Sequence, residues 1–349
     1  MFYQENAGYF LILMNHLRFF FCFIFGFIAP FHSTIVKSQC CSGGSGSPVA
    51  GGSSQGVLLD RQMEINTNFQ YINTNKFLEK DHPAKDFLDN YHSSYLYSRL
   101  AYGVTKDFTI SVESGYYFNK TQIGLNNVDT NTSSGIGDLI IFPRYDIYNR
   151  TEEDKRTEIT VGLGYKISLG KYSDSAKKVP GFGDPYYLIM PPAVQPTTGS
   201  NDFIFYAFVF RGYPLKNFRL FANALYVKKG WNPMGEKFGD YASIGLFAGK
   251  TFFEKLGITL QLKGERVDKM QYNKNIDPMV FYNVDPTATG SYKVLLVPQL
   301  SYNYKTFTFY ALSEFPLYQY VNEIQIASQH QITTGITYRF FPKKQCLTK

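Results

Sequence analysis

Tryptophan occurs once in the 349 residues, histidine five times and cysteine four times, and charged residues make up only 18% of the chain. Each scarcity excludes something. Four cysteines do not make a disulfide-stapled scaffold. No lysine or arginine block exceeds a pair, so the net charge of +7 is scattered and nucleic acid is not an expected partner. The one long apolar run, residues 19–30, is too short to span a bilayer as a helix, and the mean hydropathy is slightly negative. A bundle of membrane helices is therefore excluded.

What the chain has in quantity is strand-forming aromatics: 28 tyrosines and 32 phenylalanines. They occur in short stretches that alternate apolar with polar, the period of a strand. The last such stretch, 331–340, places Ile332, Thr334, Ile336, Tyr338 and Phe340 on one face. Thr333, Gly335, Thr337 and Arg339 lie on the other. A charged residue between two aromatics fits a wall with lipid outside and water inside. Twelve strands are expected, at 63–71, 95–104, 108–117, 136–148, 158–169, 202–212, 218–227, 241–252, 257–267, 292–304, 307–315 and 331–340. Connections after odd strands are long and polar, and the longest, 170–201, holds five prolines. Those after even strands run from two to about nine residues. This asymmetry and the even count fit an all-β, antiparallel, up-and-down transmembrane β-barrel with outer loops and periplasmic turns. Strand six is apolar on both faces, so its orientation is not readable.

Residues 1–38 read as a secretory signal peptide. His16 and Arg18 precede the apolar run, Val36-Lys37-Ser38 follows it, and Met14 is an alternative start. Residues 39–62 form a Gly-rich periplasmic lead or plug, 63–341 the barrel, and 342–349 a periplasmic tail. Removing the signal takes away a net +1 (Arg18, Lys37, Glu5) and leaves 7 − 1 = +6. Adjacent cysteines rarely bond each other. With both ends periplasmic, one disulfide from Cys346 to Cys40 or Cys41 is expected. A copper(I) site at Cys40-Cys41 has no supporting His or Met pattern; no metal or cofactor is expected.

Two motif classes resemble known proteins. Thr333, Gly335, Tyr338 and Phe340 resemble the C-terminal assembly signal of bacterial outer-membrane barrels, although this chain runs on past Phe340. G-I-G-D at 135–138, T-G-S-N-D at 198–202 and F-P-L-Y-Q-Y-V-N at 315–322 resemble the outer-membrane transporter-like family named for a phenol meta-cleavage pathway, in a Bacteroidetes-like version. That likeness covers roughly 56–340. It implies passage of small solutes, hydrophobic ones included, across a bacterial outer membrane. Outer-membrane lipid and the barrel-assembly machinery would be the other partners.

On the faces read as lumen lie Arg99, Glu113, Asp138, Arg144, Lys166, Lys263, Glu265, Glu314 and Arg339. They read either as pairs that keep a narrow lumen wet and rigid or as a polar path for solute, the former favoured. Catalytic residues are not expected: His92 beside Ser93, or His330 near Ser328, imitates an outer-membrane hydrolase, but a solvated loop histidine is the simpler reading. An outer-membrane lipase or protease, or a structural barrel closed to solute, remains the alternative to a channel.

Overall fold

The computed structural model describes residues 56–86, 88–127, 130–179, 183–275, 285–329 and 331–342. The expected signal peptide, most of the lead, His330, and Cys40, Cys41 and Cys346 lie outside the described residues.

Twelve antiparallel strands form one closed barrel: β1 (Met63–Thr74), β2 (Leu88–Gly103), β3 (Phe108–Gly124), β4 (Leu139–Thr151), β5 (Arg156–Ile167), β6 (Asp202–Tyr213), β7 (Phe218–Lys228), β8 (Tyr241–Phe252), β9 (Leu256–Val267), β10 (Ser291–Tyr304), β11 (Phe307–Ile326) and β12 (Gln331–Phe340). Each strand pairs with its sequence neighbours. β1 closes on β12 in unbroken register from Met63 opposite Phe340 to Tyr71 opposite Ile332. Closure leaves no main-chain edge in the wall, which a hydrocarbon surround demands.

The distribution of side chains is inside-out. Glu64, Asn66, Arg99, Glu113, Thr160 and Lys166 are among the most buried residues. Meanwhile Ile244, Leu246, Leu163 and Leu300 are more than half exposed on the outer surface. In water each exposed leucine would forgo about 1.5–3 kcal/mol of burial, and such a surface would aggregate. Against lipid it is the stable arrangement.

One end of the barrel has short turns at 104–107, 152–155, 214–217, 253–255 and 305–306. Asn217 closes one of them in the left-handed conformation (φ 49°), which asparagine tolerates well. At this end residues 56–62 lie against the wall. Leu58 is buried with its N–H donating to Thr109 Oγ1 at 2.8 Å, and Arg61 N–H donates to Gly103 O at 2.7 Å.

At the other end several strands run beyond the ~9–11 residues that a membrane crossing needs. β2 begins at Leu88, β3 continues to Gly124, and β11 has 20 residues. Residues 88–94, 119–124, 131–135 and 316–326, outside the strands expected from the sequence, are therefore largely strand. The apolar alternation that marks a membrane strand is not sustained there: 119–122 is polar throughout, and the adjacent Leu317 and Tyr318 are both exposed. A break at Gly137-Asp138 separates the short strand Asn131–Ile136 from β4, and Gly137 N–H donates to Gly115 O across it at 2.8 Å. The long segment after β5 carries a hairpin of its own, Ser175–Lys178 against Tyr186–Ile189.

Candidate functional site

Inward-facing side chains fill the barrel in two unlike walls. The first is charged and spans β12, β1, β2 and β3. Glu64 accepts from Arg99 at 2.5 Å and from Arg339 at 2.6 Å. Glu113, fully buried, accepts from Tyr97 Oη at 2.5 Å and from Ser111 Oγ at 2.9 Å. Asn66 bridges Thr337 at 2.7 Å and Tyr310 at 3.1 Å. Each of these buried carboxylates is held by a cation or hydroxyl donors, as buried charge requires.

The second wall is aromatic and runs across β4, β6, β7 and β8. Phe142 meets Tyr206 edge-on at 5.6 Å. Tyr206 stacks with Phe208 at 6.4 Å, Phe208 meets Phe221 at 6.0 Å, and Phe221 stacks on Phe247 at 4.2 Å with planes 14° apart. Ile140, Ile204 and Leu225 complete the cluster. Gly162 and Gly164 on β5 make room for Phe142, whose ring a Cβ at either would meet at 2.9 Å or less. Strand six read as apolar on both faces for this reason: its even positions build the aromatic wall and its odd positions face lipid. Arg144, buried next to this wall, has its guanidinium over the Phe142 ring at 5.8 Å.

Two ion-pair groups join the walls. Lys166 lies 2.7 Å from Asp138 and 2.9 Å from Asp202, and Lys229 shares Asp202 at 2.9 Å. Lys263 bridges Glu265 at 2.6 Å and Glu314 at 3.5 Å, while Tyr241 Oη donates to Glu265 at 2.8 Å.

Above these groups a strap, residues 191–198, crosses the barrel at the end that carries the long loops. Ala193 and Val194 are buried against Ile72, Phe77, Tyr91, Met190 and Ile326. Three strands donate to consecutive strap carbonyls: Tyr91 Oη to Ala193 O at 3.1 Å, Ser133 Oγ to Val194 O, and Lys120 Nζ to Gln195 O at 2.7 Å. The Gln195 amide in turn ties Asp174 and Met190 to the strap.

The nine ionisable residues expected in the lumen thus divide among three groups and Arg144. Arg99, Glu113 and Arg339 lie on the charged wall, Asp138 and Lys166 under the strap, and Lys263, Glu265 and Glu314 near β9–β11. Glu64, Asp202, Lys229 and the aromatic wall escaped the sequence reading. Glu64 was the second residue of its strand, just ahead of the asparagines that marked the polar face. Of the histidines, His82 is exposed and 2.6 Å from Asp81. His92 is on the outward face of β2, opposite Asn73 and Thr121. Among the described residues no cluster of three or more His, Cys, Asp or Glu could hold a metal. In the closing strand Thr333 is buried, Gly335 lies against the hydroxyl end of the Tyr310 ring, and Tyr338 stacks between Phe307 and Phe340 at 4.7 and 4.8 Å.

A closed, inside-out, twelve-stranded antiparallel barrel is the architecture of outer-membrane barrel proteins. No protein-family model matches the chain, and no curated protein matches it. Solved structures do. The COG4313 outer membrane channel from Pseudomonas putida F1 is similar over 82% of this chain and 97% of its own, with a TM-score of 0.58 and 12% identity. A Pseudomonas aeruginosa FadL homologue (TM-score 0.41, 8% identity, 87% and 99% covered) and the translocator domain of autotransporter NalP from Neisseria meningitidis (0.41, 13%, 84% and 91%) are more distant. At these identities the likeness is one of fold.

Proposed function

We propose that the chain is an outer-membrane channel that passes or binds a small solute, hydrophobic solutes included. The observation that carries this reading is the aromatic wall. A barrel needs only paired charges to fill its interior, and the charged wall supplies those. A row of rings from Phe142 to Phe247 facing inward spends apolar surface where the lumen is otherwise polar. That arrangement suits a solute with an apolar face, which would part this packed row to pass while its polar edge exchanges hydrogen bonds with the opposite wall. The resemblance to the phenol meta-cleavage transporter-like family and the similarity in fold to an outer membrane channel support the same reading. Lipid and the barrel-assembly machinery are the partners it implies, and the outer membrane its location.

The lumen residues act here as a scaffold that sets width and wetting. No chemical step is assigned to them. Purified barrel in planar bilayers and in liposome-swelling assays should pass small solutes, and Phe221→Ala with Phe247→Ala should raise the flux of apolar ones. Absence of flux in both forms would leave a closed structural barrel. Hydrolysis of phospholipid or peptide by the purified protein would instead favour an outer-membrane enzyme.

A further inference from the structure

The strap is held by one buried cation that has no anion. Lys120 lies twelve residues past the start of β3, above the membrane-spanning part of the strand. Its side chain is buried, its Nζ donates to the neutral Gln195 carbonyl, and the Tyr117 ring lies 4.8 Å away. Among the described residues no carboxylate is within ion-pair distance of it. Every other buried lysine of the lumen's ion-pair groups, Lys166, Lys229 and Lys263, has one. A neutral amine can make the Gln195 bond; an ammonium there lacks the hydration it would have in water.

We propose that residues 191–198 are a gate over the outer mouth of the lumen and that Lys120 is its latch, down while the amine is neutral and released when it is protonated. The proposal rests on the channel reading and adds its regulation.

Burial pulls the Lys120 amine down to about 7, with Asp138 pushing weakly the other way. The Tyr117 ring on its own strand lies against it, and Tyr91 and Tyr95 of β2 lie around that ring. Asp138 is itself engaged by Lys166. The strap contributes no titratable side chain. With the strap lifted, Lys120 is in water with the ordinary lysine value. Below about 7 the amine is charged in both states, and the balance between them does not change with pH. Between about 7 and the ordinary value it is neutral when latched and charged when released. Raising the pH through that window therefore favours the closed state, by up to about tenfold per pH unit.

The test is single-channel conductance of the full barrel from pH 6 to pH 10. In the wild type the open fraction should be constant below about 7 and fall above it. Lys120→Arg keeps the charge and should stay open and flat across the range. Lys120→Met loses the Gln195 bond but has no charge to titrate, so its open fraction, whatever its level, should be flat with pH. Replacing residues 191–198 by a glycine–serine linker should give a conducting, pH-insensitive barrel. Heat-modifiable gel mobility checks that each variant has folded. A wild type with no pH response beside a conducting linker variant overturns the gate and leaves the channel standing. So does a Lys120→Met variant with the wild-type profile. No conductance in any form, the linker variant included, overturns the channel reading and the gate with it.

Discussion

The Arg99 guanidinium donates to the Glu64 carboxylate at 2.5 Å inside the barrel, and Arg339 reaches the other oxygen of the same carboxylate at 2.6 Å. One anion thus holds cations from β2 and β12, the two neighbours of β1, across the seam where the barrel closes. Glu64→Gln leaves both guanidinium groups without their anion. Removing one partner of a buried pair strands the others, and the expected loss is on the order of 3 kcal/mol. It is read as a lower temperature for the mobility shift of folded to unfolded barrel on gels. Adding Arg99→Met to Glu64→Gln should recover part of the loss. A double variant no better than the single one would mean that the pair is not coupled.

Leu260 and Gln261 are adjacent at the middle of β9 and point to opposite sides of the wall. Leu260 is exposed on the outer face and Gln261 faces the lumen. Leu260→Arg puts a charge into lipid near the midplane, costing about 2–4 kcal/mol. Gln261→Arg should assemble nearly as the wild type does, since charges already line that face. Equal yields of folded barrel for both variants would contradict the inside-out wall.

The long and short connections should label from opposite sides of the membrane. Epitopes at Lys177-Lys178 and at Asn273-Lys274 should be reached by antibody on intact cells. An epitope at 152–155 should be reached only after permeabilisation. Labelling of 152–155 alone would invert the orientation.

How much of this could be read from the chain follows from what each strand touches. β8 and β12 were placed to the residue, because both run through lipid along their whole length and alternate throughout. β2, β3 and β11 were cut short, because their ends lose the apolar alternation: 119–122 is polar on both faces, and in β11 the adjacent Leu317 and Tyr318 are both exposed. The nine ionisable residues were read from their strands' alternation, each falling on the face opposite the apolar one. The aromatic wall did not, since Tyr206 and Phe208 on the inner face of β6 are chemically like Phe203 and Phe205 on its outer face. Only the pairing of β6 with β5 and β7 tells them apart. The strap was beyond reach for another reason: its grip on the barrel depends on Tyr91, Lys120 and Ser133, from three separate strands, meeting successive carbonyls of one loop.

The loop between β7 and β8 carries the lone tryptophan, Trp231, half-exposed, and is anchored by Asp240. Burial pushes the Asp240 carboxyl up. The Lys228 ammonium at 2.5 Å, the Lys229 N–H at 2.9 Å and the Tyr226 hydroxyl at 2.9 Å outweigh burial and hold it below the ordinary carboxylate value. A lowered carboxylate contributes stability that is complete above the ordinary value and is lost as pH falls through the lowered one. Glu236 in the same loop is shifted up by burial, so it titrates at higher pH and with the opposite sign. Trp231 emission should therefore change on acidification below the ordinary aspartate range. Asp240→Asn should show the altered emission already at neutral pH. A spectrum unchanged down to pH 2 would show that Asp240 does not anchor the loop.

Gly335 resembles part of an assembly signal, and its surroundings supply a second reason for the glycine. The hydroxyl end of the Tyr310 ring of β11 lies against it, and a Cβ at this position would come within 2.4 Å of that ring and 2.8 Å of the Asn68 Cβ. The same tyrosine's hydroxyl contacts the Asn66 side chain, which also reaches Thr337, so β1, β11 and β12 are joined around this one ring. Gly335→Ala must displace the ring and break that junction, and less folded barrel should be recovered from cells. The two reasons separate in a double variant. If packing decides, Tyr310→Leu removes the obstructing ring and should restore much of the yield of Gly335→Ala. If recognition of the signal by the assembly machinery decides, Tyr310→Leu should restore nothing in cells. Refolding of the purified Gly335→Ala chain into detergent, where no machinery is present, should then be normal. Normal refolding together with failed assembly in cells would discard the packing explanation.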